Sequence, residues 1–432
     1  MAGTRSRQRA AVGICPPTVV PGRTVTPVPQ RRPGPSVIPA LLGVLLLLVV
    51  TGCGSGAAGG SGTPQAGSTT GTDTGGATSS SSAAASSSSS PSTTAECTAS
   101  SAIAELPLRE RLAQLLVVGV PADSADAALS VVRTHHVGGL FLTGDATALL
   151  ANGGLRRVQQ AAPIDTMIAV DDEGGRVQRI AELAGPIPSA REMAATMSPK
   201  EVHELALRRG KKLASYGVTM NYAPVLDVSA KPANSAIGDR SFSNDPEEVT
   251  EYAGAFARGL RDAGIVPTFK HFPGQGHAEG DSHKGVARTP PLEQLRQNDL
   301  VPYRQLLGGE SDAAVLLGHL TVPGLTSSDV PASISPEAVR LLRDDLGFDG
   351  LIVTDDLYAM DAIRDRYTVG EAVEQALDAG VDMALTVSSK GLDGTLDYLE
   401  KAVSKGSLSE SRVNDAVAHV LEAKHVDPCA LN

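Results

Sequence analysis

The chain of 432 residues has no tryptophan, six phenylalanines and seven tyrosines. A binding face built from stacked aromatic rings is therefore disfavoured, and polar contacts must dominate recognition. Positive charge is also scarce. Lysine and arginine total 37 against 48 acidic residues, a formal net charge of −11. An acidic body argues against nucleic acid, against a basic membrane-docking face and against a polyanionic ligand held by charge alone. No apolar run is long enough for a comfortable membrane span, which needs about 20 residues. No G-x-G-x-x-G follows a first strand, which weakens a dinucleotide-binding reading, and no H-E-x-x-H zinc motif occurs.

The first 36 residues contain Arg5, Arg7, Arg9, Arg23, Arg31 and Arg32 and no acidic residue. An apolar run over 40–50 follows, then Thr51-Gly52-Cys53. A basic start, a short apolar segment and small residues make a secretory signal. Val50-Thr51-Gly52-Cys53 resembles a bacterial lipobox, in which the cysteine becomes the lipidated first residue; the alternative is a plain signal peptide with an incidental cysteine. Residues 1–52 are accordingly read as a signal peptide with a lipobox. Their removal takes six arginines and no acid, so the formal charge falls from −11 to −17. Residues 53–96 are dominated by Gly, Ser, Thr and Ala. Such a segment buries too little surface to offset its ordering entropy, and it reads as a disordered tether.

Residues 97–432 have the composition of one globular domain, long enough for a single large core. Short apolar runs at 115–120, 139–142, 167–170, 220–226, 266–269, 313–317, 351–353 and 383–387 alternate with amphipathic stretches. The helical stretches include 198–216, 246–263, 292–307, 336–346, 369–379 and 410–423. Strand–helix alternation implies a parallel sheet with right-handed crossovers. Eight repeats imply closure into a (β/α)8 TIM barrel. An open doubly wound sheet is the competing arrangement, but the polar clusters follow several strands rather than meeting at one crevice. A closed barrel brings its ends together, so a Cys97–Cys429 disulfide is expected; two unpaired terminal thiols are the alternative.

Polar groups gather after four strands. The third is followed by Asp171-Asp172-Glu173-Gly174-Gly175-Arg176-Val177-Gln178-Arg179, and the sixth by Gly318-His319. The fifth leads into Lys270-His271-Phe272-Pro273-Gly274-Gln275-Gly276 and then Asp281-Ser282-His283, and the seventh into Thr354-Asp355-Asp356-Leu357. In a barrel all four ends share one rim. A carboxylate directly after a buried strand is fixed and partly dehydrated, which suits a nucleophile, and Asp355 has that position. Asp356 points the other way and is read as structural. An imidazole in a model peptide titrates near neutrality, and Asp281 two residues before His283 can orient its ring, which suits an acid/base pair. A surface loop with scattered polar residues is the alternative. Lys270 suits a fixed cation donating to hydroxyls, or a rim salt bridge. Asp171 can accept two hydroxyl hydrogen bonds, and Gly174-Gly175 allow close backbone approach. Arg176 and Arg179 are open to an ion-paired scaffolding reading. His271, His277, Glu279, Asp281 and His283 are metal-type ligands, but their glycine-spaced loop disfavours a metal site, and neither metal nor cofactor is expected.

These motifs, with Asn221-Tyr222-Ala223-Pro224-Val225-Leu226-Asp227 and Gly347-Phe348-Asp349-Gly350, resemble glycoside hydrolase family 3 over roughly residues 103–425. Within it they resemble the NagZ-type β-N-acetylglucosaminidases, and the lipobox resembles that of their actinobacterial lipoprotein members. The resemblance implies Asp355 as nucleophile, His283 as general acid/base and Asp281 as its partner. It implies sugar-binding roles for Asp171, Arg179, Arg240, Lys270 and His271, with His319 near the sugar. Many relatives carry a second α/β sandwich domain that supplies a glutamate acid/base. This chain has no room for one, so the proton donor is expected inside the barrel.

The expected activity is retaining exo-β-N-acetylglucosaminidase (β-N-acetylhexosaminidase) action on small saccharides from peptidoglycan, through a covalent glycosyl-aspartate, in cell-wall turnover and recycling. The expected setting is a monomer on the outer face of the cell membrane, held by its lipid alone. The alternatives are a β-glucosidase or N-acetylglucosamine phosphorylase of the same family, or a non-catalytic sugar-binding lipoprotein. One departure stands out: Gln275 replaces the histidine that many members carry after Phe-Pro-Gly. Glutamine keeps hydrogen bonding but loses ionisation, so loop packing or pH profile is where a difference is expected.

Overall fold

Runs rich in Val, Leu, Ile and Met, apolar on both faces, form strands that are buried on both sides and therefore need a layer of helices outside them. The computed structural model describes residues 97–431, apart from 122, 145–146, 152 and 309–311. The expected signal peptide 1–52, the expected lipidation site Cys53 and the expected tether 53–96 lie outside the described residues. The strands are β1 (Leu116–Pro121), β2 (Gly139–Thr143), β3 (Met167–Val170), β4 (Met220–Asn221), β5 (Val266–Phe272), β6 (Ala314–Leu317), β7 (Ile352–Thr354) and β8 (Ala384–Thr386). Neighbours pair in parallel and in chain order from β1 to β7, and β8 pairs in parallel with β1. A parallel bridge between Val353 and Met383 completes the ring, with the Thr354 amide donating to the Met383 carbonyl at 3.0 Å. This is a (β/α)8 barrel, and its strands' C-terminal ends form one rim.

Two strands differ from the sequence expectation in ways that shape that rim. β4 ends at Asn221 rather than reaching 226, because Pro224 has no N–H for the ladder. The segment still lies along β5: Thr268 N–H donates to the Ala223 carbonyl at 2.9 Å and Leu226 N–H to the Lys270 carbonyl at 2.7 Å. β5 runs on past Phe269 to Phe272 with a register shift, so Lys270 and His271 are strand residues rather than loop residues. The Ala223–Pro224, Lys270–His271 and Phe272–Pro273 peptide bonds are cis.

The outer helices follow their caps. Ser198 and Glu201 form a capping box ahead of Pro199–Ser215, and Asp245 caps Pro246–Arg261. The stretch 292–307 is two helices, Leu292–Gln297 and Val301–Leu307, because Pro302 is tolerated only in a first turn. The stretch 336–346 begins as Pro336–Arg340 and finishes as a π-turn, Leu341–Asp345. The final helix, Glu410–Ala423, has the predicted bounds. Cys97 and Cys429, 332 positions apart, are joined with Cα atoms 6.0 Å apart.

Candidate active site

The end of β3 places three carboxylates in a row, and each finds a different partner. Asp172 is fully buried and takes Arg209 through both oxygens, at 2.5 and 3.0 Å. Its backbone also exchanges two hydrogen bonds with the Asn221 amide, so it braces the β3–β4 junction. Glu173 receives the Arg240 guanidinium in a two-pronged pair, both contacts at 2.7 Å, and Lys270 Nζ at 2.6 Å. Asp171 receives the same ammonium at 2.5 Å. Lys270 is only 2% exposed, so it is no rim residue. Burial would raise the Glu173 pKa, but Arg240 and Lys270 outweigh it and hold the carboxyl far below its ordinary range. Burial would likewise neutralise Lys270, and Asp171 and Glu173 reverse that. Removing one partner from such a set strands a buried charge, which costs about 3–5 kcal/mol.

Arg176 and Arg179 diverge. Arg176 pairs with Asp239 at 2.8 Å and donates to the carbonyls of Ser235, Ala236 and Ile237. It fixes the turn that presents Arg240 and is scaffolding. Arg179 lies 3.9 Å from Asp171, and its buried Nε has no hydrogen-bond partner among the described residues.

His271 is held from below. Its Nδ1 lies 2.7 Å from Asp227 Oδ2, and its Nε2 lies 3.3 Å from Arg240 Nη2. Guanidinium can only donate, so Nε2 accepts and Nδ1 carries the proton toward Asp227. Asp227 Oδ1 also accepts the Gln275 N–H at 2.6 Å. His319 is 1% exposed, with Nδ1 at 2.7 Å from Ser333 Oγ and Nε2 at 2.8 Å from the Asp356 carbonyl. Both of its ring nitrogens are therefore committed within the protein, in the wall behind Asp355. Burial lowers its pKa against the pull of Asp355.

Asp355 follows β7, half-buried, its N–H bonded to the Leu317 carbonyl at 2.9 Å. Its Oδ1 accepts the Asp356 N–H at 2.8 Å. Burial would raise its pKa, but His319, His271, the Asp356 N–H and His283 together bring it below the ordinary value. Asp356 turns away, as expected, and accepts from the backbones of Tyr358, Ala359 and Val387. His283 Nδ1 stands 3.0 Å from Asp281 Oδ1, and Asp281 Oδ2 is 3.1 Å from Lys284 Nζ. The His283 side chain is 65% exposed, which leaves its Nε2 edge free to meet a ligand. His277 pairs instead with Asp299, at 3.0 Å. Among the described residues no group of three or more His, Cys, Asp or Glu is arranged to hold a metal ion.

The rim thus gathers the clusters after β3, β5, β6 and β7. Sequence reasoning quoted Glu173 and Asp227 within motifs but gave neither a role. Glu173 ties Lys270 to Arg240, and Asp227 orients His271. The signal for both was a carboxylate just after an apolar, strand-like run.

Residues 107–423 match the family described as glycosyl hydrolase family 3, N-terminal domain. The chain is 48% identical over 332 residues to a Mycobacterium tuberculosis protein named Beta-hexosaminidase LpqI, covering 75% of this chain and 84% of that one. Among solved structures it is similar to a family 3 glycosyl hydrolase from Mycobacterium smegmatis, with a TM-score of 0.72 and 49% identity, covering 74% of this chain and 98% of that one. A family 3 β-N-acetylglucosaminidase from Paenibacillus superposes with a TM-score of 0.69 at 32% identity, covering 76% of this chain and 63% of that one.

Proposed function

The chain belongs to glycosyl hydrolase family 3, and on that premise we propose that it releases terminal β-linked N-acetylglucosamine from peptidoglycan fragments by a retaining, two-step route. It is a glycosidase with β-hexosaminidase activity. The observation that carries the mechanism is that His283 is one of the groups whose charge lowers the Asp355 pKa, which supports the two acting on one bound sugar. Asp355 is a carboxylate held ionised by its neighbours, and His283 is an imidazole oriented by a carboxylate 3.0 Å away.

In the first step an Asp355 oxygen attacks the anomeric carbon as the glycosidic C–O bond breaks. His283, protonated, gives its Nε2 proton to the departing oxygen. Asp281 stabilises the imidazolium and holds Nδ1 in place. The sugar is then an ester of Asp355, and His283 is neutral. In the second step His283 takes a proton from water, the resulting hydroxyl oxygen attacks the anomeric carbon, and the Asp355–sugar bond breaks. Two inversions give net retention, and both side chains return to their starting states.

Lys270, Asp171, Arg240, His271 and Arg179 are assigned to the sugar hydroxyls. Their mutual ion pairs hold them in position before substrate arrives, so little reorganisation is needed on binding. His319 supports Asp355 from behind. The substrates proposed are the N-acetylglucosamine–N-acetylmuramic acid disaccharide and muropeptides of wall turnover. The setting proposed is the outer face of the cell membrane, through lipid on Cys53.

The test is Asp355→Ala assayed with p-nitrophenyl N-acetylglucosaminide. Turnover should vanish while the melting temperature stays near that of the parent, and a fluorosugar should label the peptide containing Asp355. Unchanged turnover, or a label elsewhere, refutes the assignment. Adding phosphate, or offering the glucoside, separates the phosphorylase and glucosidase alternatives.

A further inference from the structure

The Asp281–His283 pair rides on a loop with little to hold it. Gly280 and Gly285 have φ of +90° and +140°, values that favour glycine, and a side chain at Gly285 would meet nothing within 4 Å. The side chains of His283 and Lys284 are 65% and 82% exposed. Between them and Asp281 sits one buried residue, Ser282, at 1% exposure. Its Oγ accepts from Gln275 Nε2 at 3.3 Å, and its carbonyl accepts the Ala362 N–H at 3.3 Å.

Gln275 is anchored far better. Its N–H donates to Asp227 Oδ1 at 2.6 Å, and its carbonyl accepts from Ala278 N–H at 3.0 Å. On one side, a Cβ on Gly274 would come within 2.5 Å of the Asp299 side chain. On the other, a Cβ on Gly276 would come within 2.0 Å of the Val228 carbonyl, and Ser229 Oγ donates to the Gly276 carbonyl at 3.2 Å. The Gln275 side chain therefore projects from a rigid, close-packed base and grips the one buried residue of a sparsely held loop.

We propose that Gln275 is a positioning residue for the acid/base pair: through Ser282 it fixes where Asp281 and His283 stand over the glycosidic oxygen. This rests on His283 being the proton donor. Asp227 then serves two purposes, orienting His271 in the sugar cradle and seating the backbone of Gln275, so binding and protonation are keyed to one buried carboxylate. An amide suits the position because it does not ionise, so its grip does not change with pH.

The experiment compares Gln275→Met, which keeps the shape and loses the hydrogen bond, with Ser282→Ala and the double variant. Each is assayed on a 2,4-dinitrophenyl N-acetylglucosaminide, whose leaving group needs no proton, and on a phenyl or disaccharide substrate, whose leaving group does. A misplaced proton donor should cost about 10- to 100-fold in kcat/KM on the second substrate. On the first it should cost no more than about twofold. The double variant should be no worse than either single one, because both remove the same contact. Parental rates on both substrates, equal losses on both, or additive losses in the double variant would overturn the proposal. His283→Ala is the reference. It should show the same leaving-group dependence in stronger form; a flat response there would refute the role of His283 itself and remove the ground under Gln275 with a different signature.

Discussion

Asp355 shows how a single side chain is tuned by opposing forces. Burial favours its protonated form, and the three histidines with the Asp356 amide favour the ionised one and win. A carboxyl whose pKa is depressed in the folded protein stays charged until pH falls through that lowered value. On the proposed mechanism it attacks only as the carboxylate, so the acid limb of the kcat/KM profile should lie below the ordinary aspartate value of about 3.9. Asp281→Asn, which removes the partner of the His283 ring, should lower kcat/KM while leaving the acid limb in place. An acid limb well above the ordinary aspartate value, measured where the protein is still folded, would count against this account. At this scale the polar residues at the strand ends were legible, because they follow apolar runs. Their partners were not. The Glu173–Arg240 pair spans 67 positions and the Asp227–His271 pair 44, and no local pattern announces such contacts. His319 likewise bonds Ser333 and the Asp356 carbonyl, contacts that no local pattern announces.

Strands and loops obey a similar division. The eight apolar runs announced the eight strands because strands buried on both faces must be apolar throughout. Their ends were less legible. β4 stops early for want of a proline N–H, and β5 continues past Phe269 into Lys270 and His271 because ion pairs and hydrogen bonds let it carry polar residues inside. The loop after β5 depends on glycine for close approach rather than for flexibility alone. Gly276 faces the Val228 carbonyl with no space for a methyl group. Gly276→Ala should therefore push the loop off the segment after β4, drag Gln275 from Asp227, and lower kcat/KM by at least about tenfold, with a fall in melting temperature. Parental activity and stability in that variant would show that the loop has slack the packing does not reveal. Gly285, with open space around it, is the contrasting site.

At the level of the whole molecule, the barrel brings together clusters that are up to 185 positions apart in the chain, from Asp171 to Asp356. The comparison with family members rests on that architecture and on its order of motifs. The proposed lipid on Cys53 sets where the barrel works, and it is testable by fractionation. In a bacterial host that lipidates exported proteins, the parent should sediment with membranes, and Cys53→Ser should not. A parent found wholly in the soluble fraction would remove the anchor from the picture.

The bond between Cys97 and Cys429 has a further meaning. It spans 332 positions, and a cross-link of this kind adds about 2–4 kcal/mol by limiting the unfolded chain. It also turns the folded domain into a covalent circle. One proteolytic nick in an exposed loop then opens the circle without releasing a fragment, so both halves of the active site stay tethered to each other. A nicked enzyme of this design keeps its pieces.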